Sequence, residues 1–314
     1  MPRLTVDLEF EQIRTIVRGL DGALDLVGFA RLHGGTSEVY RIDLAGPKNP
    51  LVLKIYADEP AWIVAKEVLV AGWIGDRAGL PIPRWLCLDE SRSLIPFRFA
   101  LMTCLPGATV RSLIGTDGID TAYRQMGELL RRLHAIPMTA YGYITGDGIR
   151  QPRPTNDDDI RAAFDQAFRQ FREQGGDETL TRQLEAMAQA RFPLLQHNAR
   201  PVFCHDDLQQ GNVLAKRDQN GRLQLSGLID FGNARAADPL FDLAKTLFCC
   251  VHEDPRSREP LLTGYGEIDH PDPEAALWLY SLFHRVSMWC WLTRHGLASD
   301  GGAGLLRDLH AMSR

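Results

Sequence analysis

Apolar residues recur at helical spacing from Leu8 to Leu20, and Asp7 stands where it would cap that helix. Three strand-like runs come next: Ala23 to Leu32, Glu38 to Leu44 and Leu51 to Tyr56. The last two are separated by Ala45-Gly46-Pro47-Lys48-Asn49-Pro50, which is turn chemistry. A helical stretch from Pro60 to Ile74 has its proline in the first turn, where a missing N–H is tolerated. Leu80-Pro81-Ile82-Pro83 ends it, and two more strand-like runs, Arg84 to Leu88 and Pro96 to Thr103, complete a sheet. After Leu105-Pro106-Gly107 the period changes. Helical patterns span Asp120 to Ala135, Asn156 to Gln174, Glu178 to Ala190, Leu240 to Val251 and Glu274 to His295. Tyr141 to Pro154, rich in Gly and Pro, reads as loop. The strands expected in this half flank residues 202–230, with Asp218-Gln219-Asn220-Gly221 as a hairpin turn before Leu223-Gln224-Leu225. The pattern predicts an α+β protein with a small β-rich lobe (1–102), a hinge (103–107) and a larger, mainly helical lobe (108–314).

A chain of 314 residues is long for one core and natural for two packed lobes. With 45% apolar and 24% charged residues it has an ordinary globular composition. A formal charge of −5 argues against a general nucleic-acid binder. The six cysteines form no C-x-x-C pair, and most lie in apolar runs such as Leu247-Phe248-Cys249-Cys250-Val251, which fits a reducing cytoplasm. Asp7, Glu9 and Glu11 interrupt any signal-peptide core, and no apolar stretch approaches a membrane span, so no membrane partner is expected. The sequence leaves the oligomeric state open.

The densest chemistry lies between Val202 and Ala244. His205-Asp206-Asp207-Leu208-Gln209-Gln210-Gly211-Asn212 places an Asn five positions after an Asp, and Asp230-Phe231-Gly232 comes 18 residues later across one hairpin. A carboxylate at an acceptor hydroxyl and two hard oxygen ligands for Mg2+ are what phosphoryl transfer from a nucleotide requires. In that register Asp207 is the candidate base, and Asn212 and Asp230 are the candidate metal ligands. His205 reads as a structural hydrogen-bonding residue. Asp238 suits a helix cap, and Asp242 a hydrogen bond to the catalytic-loop backbone. Lys54 sits in the apolar strand Leu51-Val52-Leu53-Lys54-Ile55-Tyr56 and needs a partner, for which nucleotide phosphates and Glu67 are on offer. Gly34 and Gly35, in His33-Gly34-Gly35-Thr36-Ser37, suit either a phosphate-approaching loop or an ordinary hairpin turn. No GxxxxGK[ST] motif is present, so a P-loop is unsupported. Trp289, Trp291, His284 and Arg285 share one apolar helix and read as core.

These residues, with the Leu80-Pro81-Ile82-Pro83 step and the Met102-Thr103-Cys104-Leu105-Pro106-Gly107 segment, resemble the aminoglycoside phosphotransferase-like small-molecule kinases from about Arg31 to Ala244. The family usually has Gly where this chain has Asp206. The resemblance implies a two-lobed protein-kinase-like fold and an ATP-dependent (or GTP-dependent) transfer of phosphate to an alcohol. It implies that Thr103 and Leu105 offer backbone groups to the purine, and that Lys54, held by Glu67, binds the α- and β-phosphates. The partners implied are a nucleotide and a small-molecule acceptor. For a polycationic aminoglycoside, acidic candidates are Asp157, Asp158, Asp159, Glu253 and Asp254, although the first three also suit a helix N-terminus. Tyr141-Gly142-Tyr143-Ile144-Thr145-Gly146 is broadly similar to hygromycin-type members. Choline, homoserine, fructosamine, amino-sugar and macrolide kinases share the same core motifs. A non-catalytic binding module is disfavoured because Lys54, Asp207, Asn212 and Asp230 are all present. Protein-kinase activity is disfavoured because no Ala-Pro-Glu element comes after Asp230.

Overall fold

A computed structural model of the protein describes residues 8–32, 37–57, 60–197 and 200–314. Helix α1 (Phe10–Leu20) begins with Glu9 as N-cap, whose backbone N–H is met by the side chain of Gln12. The expected cap, Asp7, lies outside the described residues. Strands β1 (Leu26–Leu32), β2 (Glu38–Leu44) and β3 (Leu51–Tyr56) are succeeded by helix α2 (Ala61–Ile74) and by β4 (Trp85–Asp89) and β5 (Arg98–Thr103). The five strands form one antiparallel sheet in the order β1-β2-β3-β5-β4. Alternation along β2 and β3 buries Tyr40, Ile42, Leu51, Leu53 and Ile55 against Ile13, Ile16 and Val17 of α1, so one face of the sheet has its own core.

Beyond the hinge run β6 (Ala108–Thr109), α3 (Ile119–His134), β7 (Tyr141–Thr145), β8 (Gly148–Arg153), α4 (Asn156–Glu173) and α5 (Glu178–Arg191). Then come β9 (Val202–Cys204), β10 (Val213–Arg217), β11 (Leu223–Leu228), β12 (Arg235–Ala237), α6 (Pro239–Glu253), α7 (Arg258–Tyr265), α8 (Pro273–Arg294) and α9 (Ala298–Met312). A large core runs through these helices, and it also takes in Val70, Ile74 and Ala78 from α2 and the turn after it. Helices α3 and α7 approach closely through glycine. A Cβ on Gly264 would stand 1.8 Å from the Arg124 carbonyl oxygen, and one on Gly127 would stand 2.0 Å from that of Leu261.

The segment 141–154, expected as loop, is a β-hairpin. It lies at one edge of a four-stranded sheet ordered β8-β7-β12-β9. Pro152 is compatible with β8 because that strand is at the edge, where a missing N–H breaks no ladder. The hinge leads directly into β6, which pairs with β10 of the catalytic hairpin. Gly107 makes this possible. It has φ +110°, and a Cβ there would meet the Ala215 carbonyl at 2.5 Å and Ser226 Oγ at 2.6 Å.

Candidate active site

Strand β9 delivers the chain to His205, and Asp242 on α6 fixes the start of the catalytic loop. Its carboxylate accepts the N–H groups of His205 (2.7 Å) and Asp206 (3.0 Å), and His134 Nε2 lies 3.3 Å away. Burial raises the Asp242 carboxyl, but the bonds from His134 and His205 outweigh it and hold the group below its usual range. The structural roles expected of Asp242, Asp238 and His205 are met. Asp238 caps α6 through Leu240 N–H, and His205 Nε2 lies 3.2 Å from the Ile229 carbonyl.

Asp206 has φ +53°, the left-handed region in which glycine is unstrained, which explains why Gly suits this position. Its carboxylate lies 3.3 Å from Nζ of the half-buried Lys245, which also donates to the Asp206 carbonyl. The additional negative charge is therefore matched by a cation on α6. Asp207 Oδ2 accepts from Asn212 Nδ2 at 3.0 Å, and Oδ1 accepts from Gln209 Nε2 at 3.2 Å. Burial pushes the Asp207 carboxyl up, with Lys245 working against it and Asp230 adding to it.

Asn212 also donates to the Asp207 carbonyl at 2.9 Å. With Nδ2 turned to Asp207, Asn212 Oδ1 accepts no hydrogen bond from the described residues. Ile229 N–H bonds the Asn212 carbonyl at 3.0 Å, and Val213 pairs with Leu228, so Asp230 emerges beside Asn212. Asp230 has φ +66° and, among the described residues, accepts only a long bond, 3.4 Å, from Gly232 N–H. One amide oxygen and one carboxylate on adjacent loops, both with lone pairs unclaimed, form a hard-oxygen set that fits Mg2+.

Lys54 and Tyr56 face the same side of β3. Lys54 Nζ is 2.6 Å from Glu67 Oε1, and Tyr56 Oη donates to Glu67 Oε2 at 3.0 Å. Burial works against the Lys54 ammonium, but Glu67 and then Asp230 hold its pKa well above the ordinary value. Gly34 and Gly35 lie outside the described residues. In the hinge the Thr103 amide is not available to a purine, because it donates to the Arg84 carbonyl at 3.0 Å as β5 continues its pairing. Among the described residues the Leu105 N–H has no acceptor.

The acidic groups considered for a polycationic acceptor all have partners. Asp157 pairs with Arg161 at 2.6 Å, Asp158 with Thr155 at 2.6 Å, and Asp159 with Arg235 at 2.6 Å. Glu253 meets Arg111 at 2.8 Å, and Asp254 is held by Arg256 and Tyr123, each at 3.0 Å. Arg111 also bonds Gln209 at 2.7 Å, placing this ion pair beside the catalytic loop. On α8, Trp289 packs against Phe171 and His284 bonds the Phe241 carbonyl, as a core reading requires, whereas Trp291 is exposed. His134, Cys204 and Asp242 lie close enough together to suit a metal, yet Asp242 is committed to the loop backbone and His134.

Two lysines, the buried Lys66 and the half-buried Lys245, are not evident from local spacing. Each is a charged residue in a strongly apolar helical run, and that mismatch is the available signal.

The family model described as "Phosphotransferase enzyme family" matches residues 28–279. Streptomycin 3''-kinase of Streptomyces griseus is 28% identical over 197 residues, 61% of this chain and 66% of that protein. Acyl-CoA dehydrogenase family member 10 of Mus musculus is 22% identical over 295 residues, 85% of this chain but 24% of that protein. The chain thus spans less than two thirds of either relative. Among solved structures, aminoglycoside phosphotransferase APH(4)-Ia in a ternary complex with AMP-PNP and hygromycin B superposes with a TM-score of 0.71 at 22% identity, covering 96% of this chain and 98% of the other. The GDP and kanamycin complex of APH(2")-IIIa gives 0.65 at 17% identity, covering 95% and 97%. Both share the two-lobed kinase-like fold seen here. With the family model matching residues 28–279, most of its length, the chain belongs to the phosphotransferase enzyme family.

Proposed function

We propose that this protein is a small-molecule kinase that transfers the γ-phosphate of ATP, with GTP as the alternative donor, to a hydroxyl of an aminoglycoside-type antibiotic and so confers resistance. The observation that carries the proposal is the convergence of Asp207, Asn212 and Asp230 beside the Lys54–Glu67 pair. The nucleotide lies between residues 1–102 and 108–314, with 103–107 as hinge and the Leu105 N–H as purine donor. Lys54, oriented by Glu67, neutralises the α- and β-phosphates, and Gly34 and Gly35 offer backbone groups to them. Asn212 and Asp230 would hold Mg2+, which would supply charge neutralisation on the phosphate oxygens. Asp207 orients the acceptor hydroxyl and takes its proton as the oxygen attacks the γ-phosphorus, while the β–γ bridging oxygen leaves with ADP. The transition state is loose, so positioning and charge supply most of the rate. The six cysteines are free, and no described helix is long and apolar enough to cross a membrane. We assign the enzyme to the cytoplasm.

A second reading, a metabolite kinase of the same fold, is favoured by one observation. Four of the five carboxylates considered for a polycation already pair with an arginine (Arg161, Arg235, Arg111 and Arg256), and Asp158 is hydrogen-bonded by Thr155. The test is Mg-ATP-dependent ADP release with aminoglycosides, choline, homoserine and amino sugars, using Asp207→Asn as control. Turnover on an aminoglycoside that disappears in Asp207→Asn supports the resistance reading. Turnover confined to a metabolite replaces it with the second.

A further inference from the structure

Lys66 immediately precedes Glu67 on α2 and is fully buried. Its Nζ donates to the Gly232 carbonyl at 2.8 Å and stands 3.5 Å from the centroid of the Tyr143 ring. Tyr143 Oη donates to the same carbonyl, also at 2.8 Å. Among the described residues no carboxylate lies within ion-pair distance of Lys66. A buried ammonium without a counter-ion is unfavourable, and Met or Leu would fill the space with less desolvation. What the lysine adds is a long-reach donor aimed at one peptide group.

That peptide group belongs to the loop bearing Asp230. Gly232 N–H turns to the Asp230 carboxylate, while the Gly232 carbonyl receives one donor from α2 and one from β7. The contact between α2 and the hairpin is close. A Cβ on Gly146 would come within 2.5 Å of Ala65 Cβ, and Trp62 meets Tyr143 edge-on at 5.9 Å. Adjacent helical residues diverge by about 100°, so Glu67 reaches Lys54 while Lys66 reaches Gly232. One turn of α2 thereby fixes Lys54 and the loop bearing Asp230 relative to each other.

We propose that Lys66 is a positioning residue that, with Tyr143, fixes the Gly232 carbonyl and so holds Asp230 ready for a nucleotide-bound divalent cation. This rests on the reading of Asp230 as a metal ligand. The test is calorimetric titration of the full chain with ATP in Mg2+ and with ATP in EDTA, for the wild type, Lys66→Met and Tyr143→Phe. Loss of the Lys66 hydrogen-bond donor should weaken Mg-ATP binding by Lys66→Met about tenfold. Metal-free ATP binding should stay within about twofold. Tyr143→Phe should lose about threefold, for Mg-ATP only. Equal weakening of both forms, or unchanged Mg-ATP binding, in Lys66→Met overturns the proposal. If Lys66→Met does not fold, the same outcomes in Tyr143→Phe decide it. Should wild-type affinity not depend on Mg2+ at all, the metal reading of Asp230 fails, and this inference with it.

Discussion

The donor half of the site and the acidic surface considered for the acceptor differ in how their charges are used. Around the proposed nucleotide site, Asn212 Oδ1 and the Asp230 carboxylate keep lone pairs unclaimed among the described residues, and the part-buried Lys54–Glu67 pair stands beside them. On the other side, Asp157, Asp159, Glu253 and Asp254 each meet an arginine, and Asp158 meets a threonine hydroxyl. A similar density of acidic residues thus yields an open ligand set in one place and a surface mostly paired with arginine in the other. What a ligand meets depends on pairing, not on composition.

The sharpest way to break this contrast is Asp230→Ala. If the open carboxylate serves the metal, Mg-dependent turnover should fall by about a thousandfold or more. Metal-free ATP binding should persist. Retained turnover in an ADP-release assay would remove the distinction. Asp242→Ala addresses the scaffold beneath: two buried N–H groups lose their acceptor, and urea unfolding should show a loss of about 3 kcal/mol or more.

Lys245 and Asp206 test whether a self-neutralised pair behaves as a unit. Lys245→Met alone leaves a buried carboxylate and should cost about 3 kcal/mol, whereas Asp206→Gly combined with it should recover most of that. Glycine also suits the left-handed backbone at 206. Additive losses in chemical denaturation would show that the two charges are independent.

His284 supplies a pH axis. Burial, with Lys245 adding to it, pushes its pKa down to about 3. The unfolded chain takes up this proton near pH 6.5 and the folded chain does not. Between those limits stability should therefore fall as pH falls, by up to about 1.4 kcal/mol per pH unit from this group, and His284→Gln should flatten the slope. Glu253→Gln should have the smallest effect, less than about 1 kcal/mol on stability, since its pair with Arg111 is partly solvated. A marked change in acceptor KM would show that Glu253 meets the acceptor after all.

The part of the site set by short-range spacing could be read from the chain. The interval from Asp207 to Asn212, the strand end at Asp230 and the lysine in an apolar strand each predict a geometry that the fold supplies. The loop-supporting role of Asp242 was equally readable, because a helix-opening Asp just after the catalytic hairpin has backbone donors in reach. Longer-range pairing was not readable. Arg111 and Glu253 are 142 residues apart, and Arg235 and Asp159 are 76 apart, so no local pattern announces them. The β7–β8 hairpin escaped because Gly142 and Pro152 imitate loop chemistry. Their positions within a sheet with an edge decide otherwise.

Helix α2 also constrains how hybrid enzymes of this family could be assembled. It comes after the first three strands of the small sheet, yet Val70 and Ile74 are packed into the core of the large helical half. A crossover at the hinge would pair a foreign α2 with resident α3 and leave a mismatched seam of fully buried side chains. A crossover between β3 and α2, at the exposed Pro60, would instead exchange β1, β2 and β3 while α2 keeps its native neighbours in the large helical half, with the Lys54–Glu67 and Tyr56–Glu67 bonds crossing the new seam. The seam that matters for recombination therefore lies well upstream of the hinge, at the entry to α2.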